Sequence, residues 1–360
     1  MQEYTIQGNK VINSSGEEIF RGTPFDYKFA ESLATRKYQN IQMAKIFRQL
    51  GEDKLSERWT HCSWDLTYLN VNGRLKTSGY DEWGRLISNH RCNNRFCPVC
   101  ALFLSRKIYR AIYNYVNSKP DSRFCLASVT IPSVPLDKLL DAVKLLNRGY
   151  NRLTKKSNEN KWRRFSSAFV GMFRHIEITY NPKTGLFHPH MHMLLECASD
   201  YFDNPKLYYD QKKYEFNKAW ARACGLPYDP VLHSPFCSLQ VIRQNDTDLR
   251  SAVAEVAKYL FKLDKKIFKR NNKDQLEIFC KAILALRGVT LSGGAGTMRG
   301  ILHFVESFVD DDIDDSSLSA PYKDTVNRVV FVWNRAYNCY IRYVIFDDSY
   351  IGDVFYPKLE

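Results

Sequence analysis

No stretch of the 360 residues approaches the roughly 20 consecutive apolar positions that cross a bilayer. The first ten residues, MQEYTIQGNK, also lack a charged segment followed by an apolar run. A membrane anchor and a secretory leader are therefore not expected, and a cytoplasmic location is. No internal repeat or low-complexity tail is present, so repeat architectures are set aside. Acidic residues are the scarcer charge, 39 Asp and Glu against 52 Lys and Arg, and the net charge of +13 argues for a polyanionic partner such as nucleic acid. That excess says nothing about chemistry. Hydrophobic residues at 44% and aromatics at 14% exclude wholesale disorder, and the length calls for one large core with appended modules or for two domains. Ten cysteines in a reducing compartment are not expected to form disulfides, so any cluster among them is read as a metal site.

Residues 1–60 are polar and of mixed charge, with helical character over 34–50 and no chemical motif. The segment 61–100 is rich in turn formers and carries four cysteines. Residues 124–131 read as a buried strand ended by Pro132, and 136–153 as an amphipathic helix. Residues 170–180 and 187–196 alternate and read as a hairpin turning through Pro182 and Gly185. Helices are expected at 206–224, stopping at Gly225, at 249–269 and near 274–286. A strand is expected at 238–243, a glycine-rich turn at 293–296, a solvated acidic loop at 310–315 and strand character over 329–346.

His188, His190 and His192 alternate within HPHMHMLLE, which puts all three on one face of a strand and turns Met191, Met193 and Leu195 to the core. Imidazole suits borderline divalent metals, and a carboxylate added to the set admits Mg2+ or Mn2+. If Tyr180 pairs with Phe187, Glu177 falls opposite His190 and His175 opposite His192. A slip of one residue turns Glu177 away.

In AEVAKYLFK, Glu255, Tyr259 and Lys262 share one helical face. Alone, this trio reads as an exposed ion-paired face with a half-buried tyrosine rather than as a catalytic group. Beside a metal site it acquires chemistry: a tyrosine hydroxyl, with a reference pKa of about 10, needs assistance to act as a nucleophile near neutrality. Lys262 could stabilise the phenolate and Glu255 could act as a general base. Cys92, Cys97 and Cys100 form C-x4-C-x2-C, with Cys62 the natural fourth ligand of a structural Zn2+ and His61 and His90 as alternatives. Cys125, Cys197, Cys224, Cys237, Cys280 and Cys339 are scattered and read as core residues.

With these residues in view, the chain resembles the replication initiators of small rolling-circle plasmids, of the single-tyrosine type within the HUH endonuclease superfamily. RCNNRFCPVCALFLSRK, FCLASVTIP, FHPHMHMLLE and EVAKYLFK carry the resemblance, and LRGVTLSGGAG and FVWNRAYNCYIRY add to it more weakly. The resemblance implies an α+β fold, a central antiparallel sheet flanked by helices, with an appended four-cysteine zinc module. It divides the chain into 1–60 of open role, a zinc module at 61–118, a nicking and joining core at 119–272 and a C-terminal part at 273–360. His190 and His192 become ligands of a catalytic divalent metal with Glu177 as the third, the role of His188 staying open. Tyr259 becomes the nucleophile, and Glu255 the carboxylate that activates water for termination.

The implied partners are plasmid origin DNA, single-stranded at the nick, and the host helicase and DNA polymerase. Homo-oligomerisation is left open. The alternatives are a transposase or mobilisation relaxase with the same chemistry, and a zinc-containing DNA-binding regulator without catalysis.

Overall fold

The structure, a computed structural model, describes residues 4–7, 10–13, 24–71, 74–76, 86–88, 90–155, 160–243, 245–257, 268, 272–301, 327–335, 339–344 and 354–355. The chain divides into two compact units, one of residues 1–100, 264–277 and 308–360, the other of 101–263 and 278–307. Among the described residues no helix is long and apolar enough to cross a membrane.

In the first unit, with elements numbered along the chain, β1 (Tyr4–Gln7) and β2 (Lys10–Asn13) form a two-stranded sheet. Two helices follow, α1 (Pro24–Gln49) and α2 (Asp53–His61). Phe47 and Trp59 meet edge to face at 4.9 Å, both buried, and Ser56 Oγ donates to Ala44 O at 2.7 Å. An antiparallel sheet then joins β3 (Asp65–Val71), β4 (Arg74–Lys76) and β5 (Leu86–Ser88) to strands from the far end of the chain. Those are β11 (Asn327–Asn334), β12 (Cys339–Val344) and β13 (Val354–Phe355), so the strand character expected over 329–346 is two strands. Tyr340 OH donates to Ser63 O at 2.5 Å, tying β12 to the residue after Cys62.

The second unit is built on five antiparallel strands in the order β10–β7–β8–β6–β9. They are β6 (Phe124–Thr130), β7 (Phe169–Asn181), β8 (Leu186–Cys197), β9 (Cys237–Val241) and β10 (Ser292–Gly296). The helices are α3 (Pro98–Asn117, whose first three residues belong to the first unit), α4 (Leu139–Thr154), α5 (Asn160–Ala168), α6 (Glu215–Cys224) and α7 (Asp246–Val256). The α+β class with an antiparallel sheet and helices is thus observed.

The β7–β8 hairpin has the register expected from its alternation: Tyr180 opposes Phe187, Glu177 opposes His190 and His175 opposes His192. Burial explains why. Met191, Met193 and Leu195 are all fully buried on one face, each worth about 2 kcal/mol, and a slip of one residue would exchange them with the histidines. That apolar face meets α4, where the Arg174 guanidinium lies 4.6 Å from the Tyr150 ring. The histidine face continues into an apolar cluster in which Ile108, Ile112 and Val116 of α3 and Val253 and Val256 of α7 pack with Phe124, Phe173 and Leu194.

Three expectations are revised. The helix expected at 206–224 begins only at Glu215, because Tyr214 is left-handed (φ 52°) and the side chains of Asn204 and Asp210 accept the backbone N–H of Lys206 and Lys212 in local turns. Its expected stop at Gly225 is observed, with φ 71°. Residues 293–296 lie in an edge strand, not a turn. A Cβ on Gly294 or Gly296 would stand 2.0 Å from Met298 O or Val170 O, so glycine here permits close backbone approach. The helix expected at 249–269 begins at Asp246 under an Asn245 cap whose side chain accepts from Asp248 N at 2.7 Å. Tyr259 and Lys262 lie outside the described residues, as do 310–315.

Candidate functional site

Two adjacent strands of the second unit bring Glu177, His190 and His192 together, their ligand atoms within 4.8 Å of one another. Glu177 Oε2 lies 3.3 Å from His190 Nε2 and 3.2 Å from His192 Nε2. Each imidazole is held from behind through its other nitrogen. His192 Nδ1 pairs with Ser128 Oγ at 3.4 Å, and His190 Nδ1 donates to His188 O at 3.4 Å. Because a carbonyl only accepts, His190 Nδ1 carries a proton, which leaves Nε2 either to donate to the carboxylate in the imidazolium or to present a lone pair in the neutral ring. Two acceptors at that distance need positive charge between them, a proton or a cation. Burial pushes the Glu177 carboxyl up, but hydrogen bonds from His190 and His192 outweigh it and hold the group well below the usual carboxylate range. Two nitrogens and one oxygen, converging and supported from behind, fit a divalent cation.

His188 stands outside this trio. Its Nδ1 pairs with Ser133 Oγ at 3.2 Å, its ring stacks on His190 at 5.5 Å, and burial followed by the charge of His190 lowers its pKa. His175 is buried on the trio's face, opposite His192. The α7 helix brings Glu255 to the trio's edge, Oε1 3.7 Å from His192 Nε2 with the side chain one-third exposed. The carboxylate thus faces the cluster and water together. Of the residues around the trio, Ser128 carried no signal in the sequence, since only the β6–β8 pairing sets it opposite His192.

In the first unit, Cys62, Cys92, Cys97 and Cys100 gather their sulfurs within 4.8 Å, all buried. The Cys62–Cys100, Cys62–Cys97 and Cys92–Cys100 separations are 3.5, 3.5 and 3.6 Å. A tetrahedron with metal–sulfur bonds of about 2.3 Å has edges of about 3.8 Å, so the set has the size of a four-thiolate site. Hydrogen bonds from Cys100, Cys92 and Cys97 hold Cys62 far below the ordinary thiol range, while burial pushes Cys97 up. His61 and His90, the alternative fourth ligands, are exposed and not in the group.

Sequence reading passed over two residues of α1 at this cluster. Asn40 Oδ1 accepts from Cys97 Sγ at 3.4 Å, and its amide donates to Trp59 O at 2.8 Å. Lys37 is fully buried, and its Nζ donates to Thr60 O and Cys62 O, both at 2.6 Å. Burial pushes its pKa down to about 8, opposed by the fields of Cys62, Cys97 and Cys92. A buried ammonium is costly without a counter-charge, and the low-pKa Cys62 sulfur supplies one. The only sequence signal was a lysine and an asparagine three apart, on one side of a helix.

The two units present two candidate metal-binding groups, a histidine–carboxylate group on an antiparallel sheet and a four-cysteine cluster, in a protein with a basic surplus. Comparison with known proteins gives the family. A family model described as "Replication protein" matches residues 84–341, and the chain belongs to that family. It is 25% identical over 233 residues to a "Protein rep" of Streptococcus pneumoniae, covering 63% of this chain and 66% of that one. It is 27% identical over 230 residues to one from Lactiplantibacillus plantarum, covering 62% and 66%. A Staphylococcus aureus "Protein rep" is 30% identical over 232 residues, 62% of this chain and 90% of its own length. The first two relatives are thus matched over slightly less than two thirds of their length. The resemblance to plasmid replication initiators is supported at the family level, with the HUH subtype consistent with it. No solved structure gives a significant match.

Proposed function

We propose that this protein initiates rolling-circle replication of a plasmid by nicking one strand of origin DNA through Tyr259, with an HUH fold in its 119–272 core. The observation that carries the reading is the Glu177–His190–His192 trio with Glu255 at its rim, four residues before Tyr259 on the chain. A divalent cation, Mg2+ or Mn2+, bound by the trio supplies polarisation of the scissile phosphate. The Tyr259 oxygen forms a bond to the 5′-phosphorus as the bond from phosphorus to the 3′-oxygen breaks. The leaving oxygen takes up a proton, giving a 5′-phosphotyrosine and a free 3′-hydroxyl for host polymerase to extend after the host helicase opens the duplex. Lys262 stabilises the phenolate that attacks. At the end of a round, Glu255 deprotonates water for the second cleavage, and the released 3′-hydroxyl closes the circle by displacing Tyr259. The four cysteines hold a structural Zn2+. The protein works in the cytoplasm.

The test is incubation of labelled single-stranded origin DNA with the protein and Mn2+, followed by mapping of the attachment residue. Tyr259→Phe is expected to yield no adduct while melting at the wild-type temperature. An adduct at normal yield in that variant would move the nucleophile elsewhere, and no adduct from the wild type on its own origin would favour a DNA-binding regulator.

A further inference from the structure

The outer strand β9 enters the sheet through Phe236, whose carbonyl accepts from Thr130 N at 3.2 Å and from Thr130 Oγ1 at 3.0 Å. Thr130 in turn opposes His190, and His190 opposes Glu177. Glu177, His190, Thr130 and Phe236 therefore form one row across four strands, with their side chains on the same face. Two strand spacings, about 9.5 Å, separate the Phe236 backbone from that of His190.

Neighbouring side chains of this strand behave in two ways. Pro235, Cys237 and Leu239 point to the opposite face and are buried, whereas Phe236 is 59% exposed, followed on its own side by half-buried Ser238 and exposed Gln240. The exposure is not a fraying end. Asn217, itself buried, donates its amide to His233 O at 3.1 Å and Pro235 O at 3.4 Å, and the Thr130 bonds fix the next carbonyl. The backbone is held from both sides while the ring is left in water. Its companions on that face, Thr130, Ser238 and Gln240, are hydrogen-bonding groups, unlike the contiguous apolar surface of a protein-docking site. A fixed, exposed aromatic whose neighbours on its own strand face are polar, on a chain of net charge +13, fits a nucleobase.

We propose that Phe236 is a stacking platform for one base of the single strand, next to the phosphodiester that the Glu177–His190–His192 trio would engage. This rests on the nicking reading for the identity of the strand. Stacking tolerates any base, so the residue sets where the strand lies rather than which sequence is read.

Fluorescence anisotropy of a labelled oligothymidylate with the full-length protein tests it. Phe236→Ala is expected to weaken binding roughly tenfold at fixed salt. The slope of log affinity against log salt should stay unchanged, because no phosphate contact is lost. Phe236→Trp is expected to restore affinity, with its indole emission quenched by the oligonucleotide. Mn2+ binding and melting temperature should match the wild type in both variants. Undiminished affinity in the alanine variant, a loss that tryptophan does not restore, or a loss accompanied by weaker Mn2+ binding or a lower melting temperature would overturn the proposal. So would failure of the wild type to bind the oligonucleotide. None of these readings involves cleavage, so a wild type that binds the strand but never forms an adduct would defeat the nicking mechanism and leave the Phe236 contrast intact.

Discussion

His190 and His192 differ in what stands behind them, and the difference is measurable. The partner of His190 is a main-chain carbonyl that no substitution removes, whereas that of His192 is the Ser128 hydroxyl. Ser128→Ala should therefore loosen one ligand without deleting it, and Mn2+ affinity should fall by about 10- to 100-fold, the usual effect of an outer partner. Removing both rings, His190→Ala with His192→Ala, should abolish Mn2+ binding and nicking yet leave salt-sensitive DNA binding nearly intact. Titration calorimetry with Mn2+ alongside a cleavage assay separates the cases. Equal Mn2+ affinity in wild type and Ser128→Ala would show that His192 is oriented by packing alone, and nicking by the double variant would sink the metal assignment.

At the scale of elements, α1 has a role that its sequence conceals. Lys37 reaches two carbonyls at the C-terminal end of α2, where helix carbonyls lack intrahelical donors, and sets its charge in the field of the cysteine cluster. Lys37→Met keeps the bulk and removes the charge. It should cost about 3 kcal/mol in stability, from two charged hydrogen bonds, and should speed loss of Zn2+ to a chelator. Elemental analysis should give one Zn2+ in the wild type; release from Lys37→Met at the wild-type rate would mean the thiolates need no counter-charge from α1.

Such long-range partners are what sequence could not reveal. The β7–β8 hairpin was legible because period two and a short turn are local, and they fix Glu177 opposite His190. The C-x4-C-x2-C spacing was legible for the same reason. Lys37, Ser128 and Phe236 take their meaning from pairings 25, 64 and 106 residues away in the chain. The overlong helix reading at 206–224 failed at a left-handed tyrosine, a conformation that residue type does not announce.

For the molecule as a whole, a net charge of +13 favours a polyanionic partner without regard to its sequence, so on the proposed function the working cycle must come from the site. On the nicking reading proposed above, that cycle needs two cleavages, and a single tyrosine accounts for one of them. Glu255 lies 3.7 Å from His192 and is one-third exposed, so it can meet water while facing the metal trio. Initiation and termination should therefore separate on substitution. Glu255→Ala should still form the 5′-phosphotyrosine adduct at near the wild-type rate but terminate poorly, by about the 10²- to 10⁴-fold that a general base contributes. In a plasmid replication assay this appears as products longer than one unit. A merely structural Glu255, contributing a surface pairing worth a few tenths of a kcal/mol, would leave unit-length circles forming normally. If the variant fails at the first nick and binds Mn2+ weakly, Glu255 is instead a fourth member of the metal group. The ratio of adduct to closed circle, measured with Mn2+ affinity on one preparation, decides among the three outcomes.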